Sequence, residues 1–283
     1  MNLYTQQILK KRKMFFGMLT AFFIIMQLIW IFTPVIFAVL WSLVDPDHPW
    51  SYPDAFPKVL SLAQWKYVFN YTNILRALAT SYSIAPLAAI LAFFLSLPTA
   101  YVLGRKDFAG KSVISNLILL PIILPGMVVA LFLSRVFSVF GLSQTYAGLV
   151  IGHCLMGIPF MIRILTTSFA SIPQDVIDAA ENLGAGVWDK IRFVFIPMVL
   201  PGLFAGTIFT FITSLEEFNL TFIIGTPSFE TVPTILYSFL GYHFIRTNAA
   251  VVSLVLMVPN IIMLLLAERL MKTDYLSASL GKM

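Results

Sequence analysis

Residues 14–44 run for 31 positions without one Asp, Glu, Lys or Arg. A helix rises 1.5 Å per residue, so about 20 such residues cross the roughly 30 Å hydrocarbon core of a bilayer. Further apolar stretches near 74–103, 113–137, 146–165, 193–214 and 249–266 bring the expected number of spans to six. Their apolar residues are continuous rather than alternating, which predicts helices and excludes a transmembrane barrel. With 59% hydrophobic and 11% charged residues and a mean hydropathy of +0.90, the chain is richer in apolar side chains than a water-facing globule allows. The expected class is an all-α membrane protein. Its first span is longer than one bilayer thickness, which predicts tilting, a kink at Pro34 or projection beyond the membrane.

The net charge of +5 is explained by where the basic residues lie. Placing both termini, the 104–111 turn and the 163–192 loop in the cytoplasm puts 13 Lys and Arg inside and four outside, with Arg135 near the outer end of the third span. No nucleic-acid partner is expected; membrane lipid is. The segmentation is a cytoplasmic piece at 1–13, a membrane domain at 14–270 with a polar loop at 166–192, and a cytoplasmic tail at 271–283. Residues 45–73 form an outward loop with a short helix at the interface, carrying Trp65 and Tyr67. Residues 216–248 contain apolar pieces too short to cross, which predicts a re-entrant segment lining a cavity.

Enzymatic and redox chemistry are poorly represented. Cys154 is the single cysteine, and His48, His153 and His243 have no ligand spacing. GRKDFAGKS has five residues between its glycines where a phosphate loop has four, and it follows a membrane span rather than a strand. No cofactor is expected on this chain. His153 is expected to be a hydrogen-bonded packing residue, with a proton-carrying role as the alternative.

The longest polar interruption is SIPQDVIDAAENLGAGVWDKIRFVFIP at 171–197, which holds four acidic and two basic residues. Ser171 with Gln174 predicts a capping box, Pro173 a first helical turn, and Gly184 a stop. Ile172, Val176, Ala179, Ala180 and Leu183 follow helical spacing and form a narrow stripe of mostly small residues. A helix lying on lipid would carry basic residues on its polar face and bulky ones opposite. This one has acids and alanines, which favours entry into another protein's groove.

At these residues the sequence resembles the permease subunits of binding-protein-dependent ATP-binding cassette importers, with their MetI-like fold. Their EAA loop reads EAA, three residues, Gly, nine residues, then I-x-L-P. Asp178, Ala179, Ala180, Gly184, Val194, Ile196 and Pro197 stand in register, with Asp for Glu, Val for Ile and Ile for Leu. The resemblance implies a cytoplasmic coupling helix between the fourth and fifth spans, seated in a separate ATPase. Val176, Asp178, Ala179, Ala180, Leu183, Gly184 and Pro197 would be its coupling residues. It also implies a bacterial inner-membrane location, a second and different permease subunit, two ATPase subunits that bind ATP and Mg2+, and an extracytoplasmic solute-binding protein.

SLEEFNLTFIIGTPSFETVP at 214–233 resembles the corresponding segment of polyamine and opine permeases, with Thr226 inserted between glycine and proline. FAGKSVISNLILLPIILPGMV at 108–128 is similar to the third-span region of the same relatives. The implied substrate-path residues are Ser214, Glu216, Glu217 and Asn219. Burying a carboxylate at a helix centre costs about 2.5–3.5 kcal/mol on insertion scales, so two adjacent ones should meet water, a partner or a cation. A small cationic solute such as a polyamine suits them. Placement at the outer water interface with no specific task is the alternative. Opines, phosphonates, ferric iron, thiamine and sugars stay open, as does a nucleotide-independent secondary transporter, which the lack of a convincing inverted repeat disfavours.

Overall fold

The structure, a computed structural model, describes residues 3–280. The outermost residues of the expected N-terminal piece and tail, 1–2 and 281–283, lie outside the described residues. Helices account for most of the described chain, which contains no strand; an isolated bridge pairs Val44 with Leu60.

The helices follow from the apolar runs. In order they are α1 (Leu3–Ser42), α2 (Ala63–Tyr71), α3 (Ile74–Arg105), α4 (Lys111–Ile118), α5 (Leu120–Ile123), α6 (Gly126–Val139), α7 (Tyr146–Ala170), α8 (Gln174–Asn182), α9 (Val187–Lys190), α10 (Ile196–Glu216), α11 (Val232–Tyr237) and α12 (Arg246–Leu280). Turns of π-helix occupy Ile191–Phe195, Thr221–Gly225 and Ser238–Tyr242. Five segments are long and apolar enough to cross a membrane: Arg12–Ser42, Ile74–Arg105, Tyr146–Ala170, Val187–Glu216 and Arg246–Leu266.

The expected third span is not one helix. It breaks into α4, α5 and α6, of which only α6, with 14 residues, is a substantial apolar piece. Pro121 and Pro125 remove two amide donors, and Leu124 before Pro125 is extended, at φ −75° and ψ 144°. A residue preceding proline is pushed out of the helical region. The helix ends there for that reason. Pro34, Pro86 and Pro98 lie within helices that continue through them.

The core is a bundle of α3, α7 and α10. On α3 the buried positions include Ala77, Ser81, Ala85, Ala88, Ala92, Ser96 and Ala100, a small-residue stripe at three- and four-residue intervals. Small side chains let membrane helices approach closely, since apolar packing against lipid offers no competing gain. The partner helices do likewise. A Cβ on Gly157 of α7 would stand 2.2 Å from Thr210 on α10, and one on Gly206 of α10 would stand 2.7 Å from Met161 on α7.

α1 lies outside this bundle. None of the side chains in its most apolar window is buried, and its packing neighbour is α12. At one end of the molecule the Trp41 ring of α1 lies 4.8 Å from that of Trp50, tilted by 36°, and Arg246 of α12 sits 6.0 Å from the Trp41 ring. The chain between α10 and α12 folds back at that end. Leu220 and Ile224 pack with Ala130 and Phe137, and Val232, Ile235 and Phe239 pack with Val68, Ile74 and Ala77. Neither short helical piece is long enough to cross. α12 continues as helix through the first ten residues of the expected tail.

Candidate functional site

Two groups of residues stand apart from the apolar background: the polar helix α8, and the polar residues around the end of α10.

α8 begins without the expected capping box. α7 runs to Ala170 and Ser171 serves as its C-cap, so the Ser171 hydroxyl donates back to the Ser168 carbonyl at 2.9 Å. The N-cap of α8 is Pro173, which offers no side-chain acceptor. Gln174 instead donates through Nε2 to Asp178 Oδ1 at 2.8 Å, one turn further on. The stop at Gly184 is as the sequence requires: its φ is +84°, the left-handed region in which glycine pays no Cβ penalty.

The apolar stripe of α8 divides between two directions. Ile172 and Ile177 are buried and pack, with Ala180 beside them, on Ala100, Met161, Leu165 and Phe169 of the bundle. Val176 and Ala179 are exposed on the other side, and Leu183 is 88% exposed. Ile177 is the inward anchor that helical spacing alone did not select. The exposed apolar run continues past Gly184 into Val187 and Trp188. Asp189 Oδ2 accepts from the Gly186 amide at 3.0 Å and opens α9, and Lys190 pairs with Glu181 at 2.5 Å, fastening the end of α8 to α9. The π turn Ile191–Phe195 leads into α10, whose second residue is Pro197, a position in the first helical turn where a missing amide is tolerated.

At the far end of α10 the four sequence-selected residues do different things. Ser214 is buried, 2.8 Å from His153 Nδ1. Glu217 is half-buried and accepts the Leu220 amide through Oε1 at 2.8 Å, capping the short helical piece that follows. Asn219 lies against Gly126 at the start of α6, where a Cβ would meet its Nδ2 at 2.7 Å. Glu216 is exposed and accepts through Oε1 from Asn260 Nδ2 of α12 at 2.9 Å. Among the described residues neither glutamate forms an ion pair with a Lys or Arg.

The structure adds residues that local pattern did not reveal. Asn260 lies 44 positions from Glu216, and Arg105 lies 69 from Gln174. Both contacts are tertiary. The Gln174 and Asp178 pair, by contrast, has the i, i+4 spacing of a helix face and was open to detection. No cluster of His, Cys, Asp or Glu suited to a metal ion occurs among the described residues.

Residues 96–272 match the family model described as a binding-protein-dependent transport system inner membrane component. The chain is 30% identical over 212 residues to the molybdenum transport system permease protein ModB of Haemophilus influenzae, covering 69% of this chain and 93% of that one. It is 23% identical over 214 residues to the spermidine/putrescine transport system permease protein PotC of Escherichia coli K12, covering 76% and 80% respectively. A chain of a bacterial ABC transporter involved in importing the acidic polysaccharide alginate superposes with a TM-score of 0.73 at 17% identity, over 91% of this chain and 97% of that chain. A chain of the MetNI methionine ABC transporter superposes with a TM-score of 0.59 at 18% identity, over 70% and 94%. At those identities the likeness is one of fold.

Proposed function

The chain belongs to the family of binding-protein-dependent transport system inner membrane components, and on that premise we propose that it lines, with a second and different permease, the path of an importer for a small cationic solute such as a polyamine. It is a permease subunit of an ABC importer and not itself an enzyme; ATP hydrolysis belongs to other subunits.

In this reading α8 is the coupling helix. Val176, Ala179 and Leu183 face the ATPase, Asp178 rims the contact, and Ala180 holds the helix to its own bundle. Gly184 and Pro197 shape the connection into α10. The charge distribution supports a cytoplasmic position for α8 and both termini: Lys106, Lys111, Arg163, Lys190 and Arg192 belong to that side, and Lys58, Lys66, Arg76 and Arg246 to the other. Two ATPase subunits bind ATP and Mg2+, this chain binds neither, and a solute-binding protein delivers the substrate from outside.

The observation that carries the substrate class is the adjacent pair Glu216 and Glu217 where α10 ends, one of them exposed and neither in an ion pair with a Lys or Arg among the described residues. A carboxylate without a basic partner near membrane depth is most readily stabilised by water or a passing cation. Ser214 and Asn219 act beside them by position, Ser214 through His153 and Asn219 against the start of α6.

A second reading is an oxyanion importer, favoured by the extent of the likeness to the molybdenum permease. Carboxylates on the path would repel such a substrate. Uptake of radiolabelled spermidine and of molybdate by cells carrying the complete transporter separates the two: spermidine uptake supports the cation reading, and molybdate uptake without spermidine uptake rejects it.

A further inference from the structure

Arg105 is the last residue of α3, yet its side chain serves the start of α8. Nη1 donates to the Ile172 carbonyl at 2.7 Å and reaches the Phe169 carbonyl at 3.5 Å, while Nη2 donates to Gln174 Oε1. The two carbonyls belong to the end of α7 and the turn after it, where helix acceptors are short of amide donors and the helix dipole is negative; the Phe169 carbonyl also accepts from the Ile172 amide at 3.4 Å. A guanidinium has five donors in one plane and stays charged, so it can satisfy these acceptors and still hold a third. Gln174 passes the connection on through its 2.8 Å bond to Asp178, the acidic residue of the Asp-Ala-Ala run. A continuous line of hydrogen bonds thus joins α3 to the middle of α8.

The packing around Arg105 fixes its origin. A Cβ on Gly104 would lie 2.6 Å from Phe169 Cβ and 2.8 Å from the Thr166 carbonyl, so glycine is what lets the end of α3 rest on the end of α7. One turn earlier the Tyr101 ring meets Phe169 and Phe195 edge-on, with centroids 5.5 and 5.6 Å away. At the other end of α8 the chain is looser. Gly184 and Gly186 flank Ala185, and nothing stands within 4 Å of a Cβ on Gly184. Glu181 and Lys190 bridge that joint with one ion pair, in which the Glu181 side chain is exposed and the Lys190 side chain partly buried.

We propose that Arg105 is a positioning residue that binds α8 to α3, so that displacement of α8 reaches α3 directly as well as along the chain into α7 and α10. Without it, α8 would pivot about the glycine joint and part of its movement would be lost. The transport consequence rests on α8 being the element an ATPase moves; the mechanical claim rests on the contacts above.

The test uses the full chain in the complex that copurifies with it, with spin labels at Val102→Cys on α3 and Asp175→Cys on α8, both exposed positions. The native Cys154 is buried away from the label. The distance distribution between labels is measured by double electron–electron resonance without nucleotide and with Mg-ATP and vanadate. The native chain should give one narrow distance in both conditions, and Arg105→Ala and Gln174→Ala should broaden it about twofold as alternative poses of α8 become populated. Gln174→Glu keeps an acceptor for the guanidinium while giving up the bond to Asp178, and should stay narrow. Should Arg105→Ala fail to fold, the surface change Gln174→Ala still decides. Distributions as narrow as the native one in both alanine variants overturn the proposal. Failure of any ATPase to copurify with the native chain would remove the coupling reading of α8 alone, since the nucleotide-free widths test the tie between α3 and α8 independently.

Discussion

His153 on α7 and Ser214 on α10 meet through Nδ1 and Oγ at 2.8 Å, and the other ring nitrogen, Nε2, lies 2.9 Å from Thr221 Oγ1. All three residues are buried. A neutral imidazole donates at one nitrogen and accepts at the other, and each hydroxyl can turn to suit either role. One side chain thereby fastens α7 to α10 and to the π turn beyond it.

Replacing His153 by Leu keeps the volume near native and strands two hydroxyls. Part of the cost is recovered, since serine and threonine in helices can bond their own preceding carbonyls. The expected loss is about 1–2 kcal/mol, given the modest worth of membrane hydrogen bonds and the penalty for an unmade buried one. Thermal unfolding in detergent should show a fall of several degrees. An unchanged midpoint would mean the network is dispensable.

Gly104→Ala and Gly17→Ala form a matched pair. The first drives a methyl into the Phe169 Cβ and the Thr166 carbonyl, and the second meets nothing within 4 Å. Overpacking against backbone costs about 1–3 kcal/mol, whereas alanine in an open helix position is neutral or mildly stabilising. Melting curves of the two variants should therefore move apart. Equal midpoints would contradict the close contact of α3 with α7.

Glu216→Gln and Glu217→Gln should differ. Glu217 spends Oε1 on the Leu220 amide, and the amide oxygen of glutamine can accept the same bond. Glu216 is exposed and held by one bond from Asn260. Loss of about 1.4 kcal/mol of attraction for a cation is tenfold in rate, so initial spermidine uptake should drop about tenfold in Glu216→Gln and less in Glu217→Gln, at matched expression. Native uptake in both variants would withdraw the carboxylates from the path.

Leu183→Ala probes the outward face of α8. Leu183 is 88% exposed and contributes little to this chain's own core. An apolar anchor buried in a partner's cleft is worth about 2 kcal/mol on truncation, or roughly 30-fold in affinity. ATPase recovery on a tagged chain should fall accordingly while the unfolding midpoint stays put. Loss of stability with full ATPase recovery would assign Leu183 to the wrong side.

The long apolar helices were legible because length and hydrophobicity are local properties of the sequence. The polar helix was legible for the same reason, with its glycine stop at Gly184. What pattern could not supply was direction. Val176, Ile177 and Ala180 occupy neighbouring turns of one short helix, and only packing against Met161 and Phe169 decides which of them turn inward. Proline in the third span was visible, but whether a proline kinks a helix or ends it depends on neighbours: Pro86 and Pro98 sit inside α3, while Pro125 follows a break. Arg105 could not be assigned from its flanking residues, since its acceptors come from α7 and α8.

The absence of burial along the apolar window of α1 has a thermodynamic consequence. That window gains little from fitting the bundle of α3, α7 and α10, so its contribution and that of the bundle are separable. Cutting the chain before the loop that precedes α2 should leave α3, α7 and α10 interlocked as before, much as a jacket can be removed from a rod without altering its stiffness.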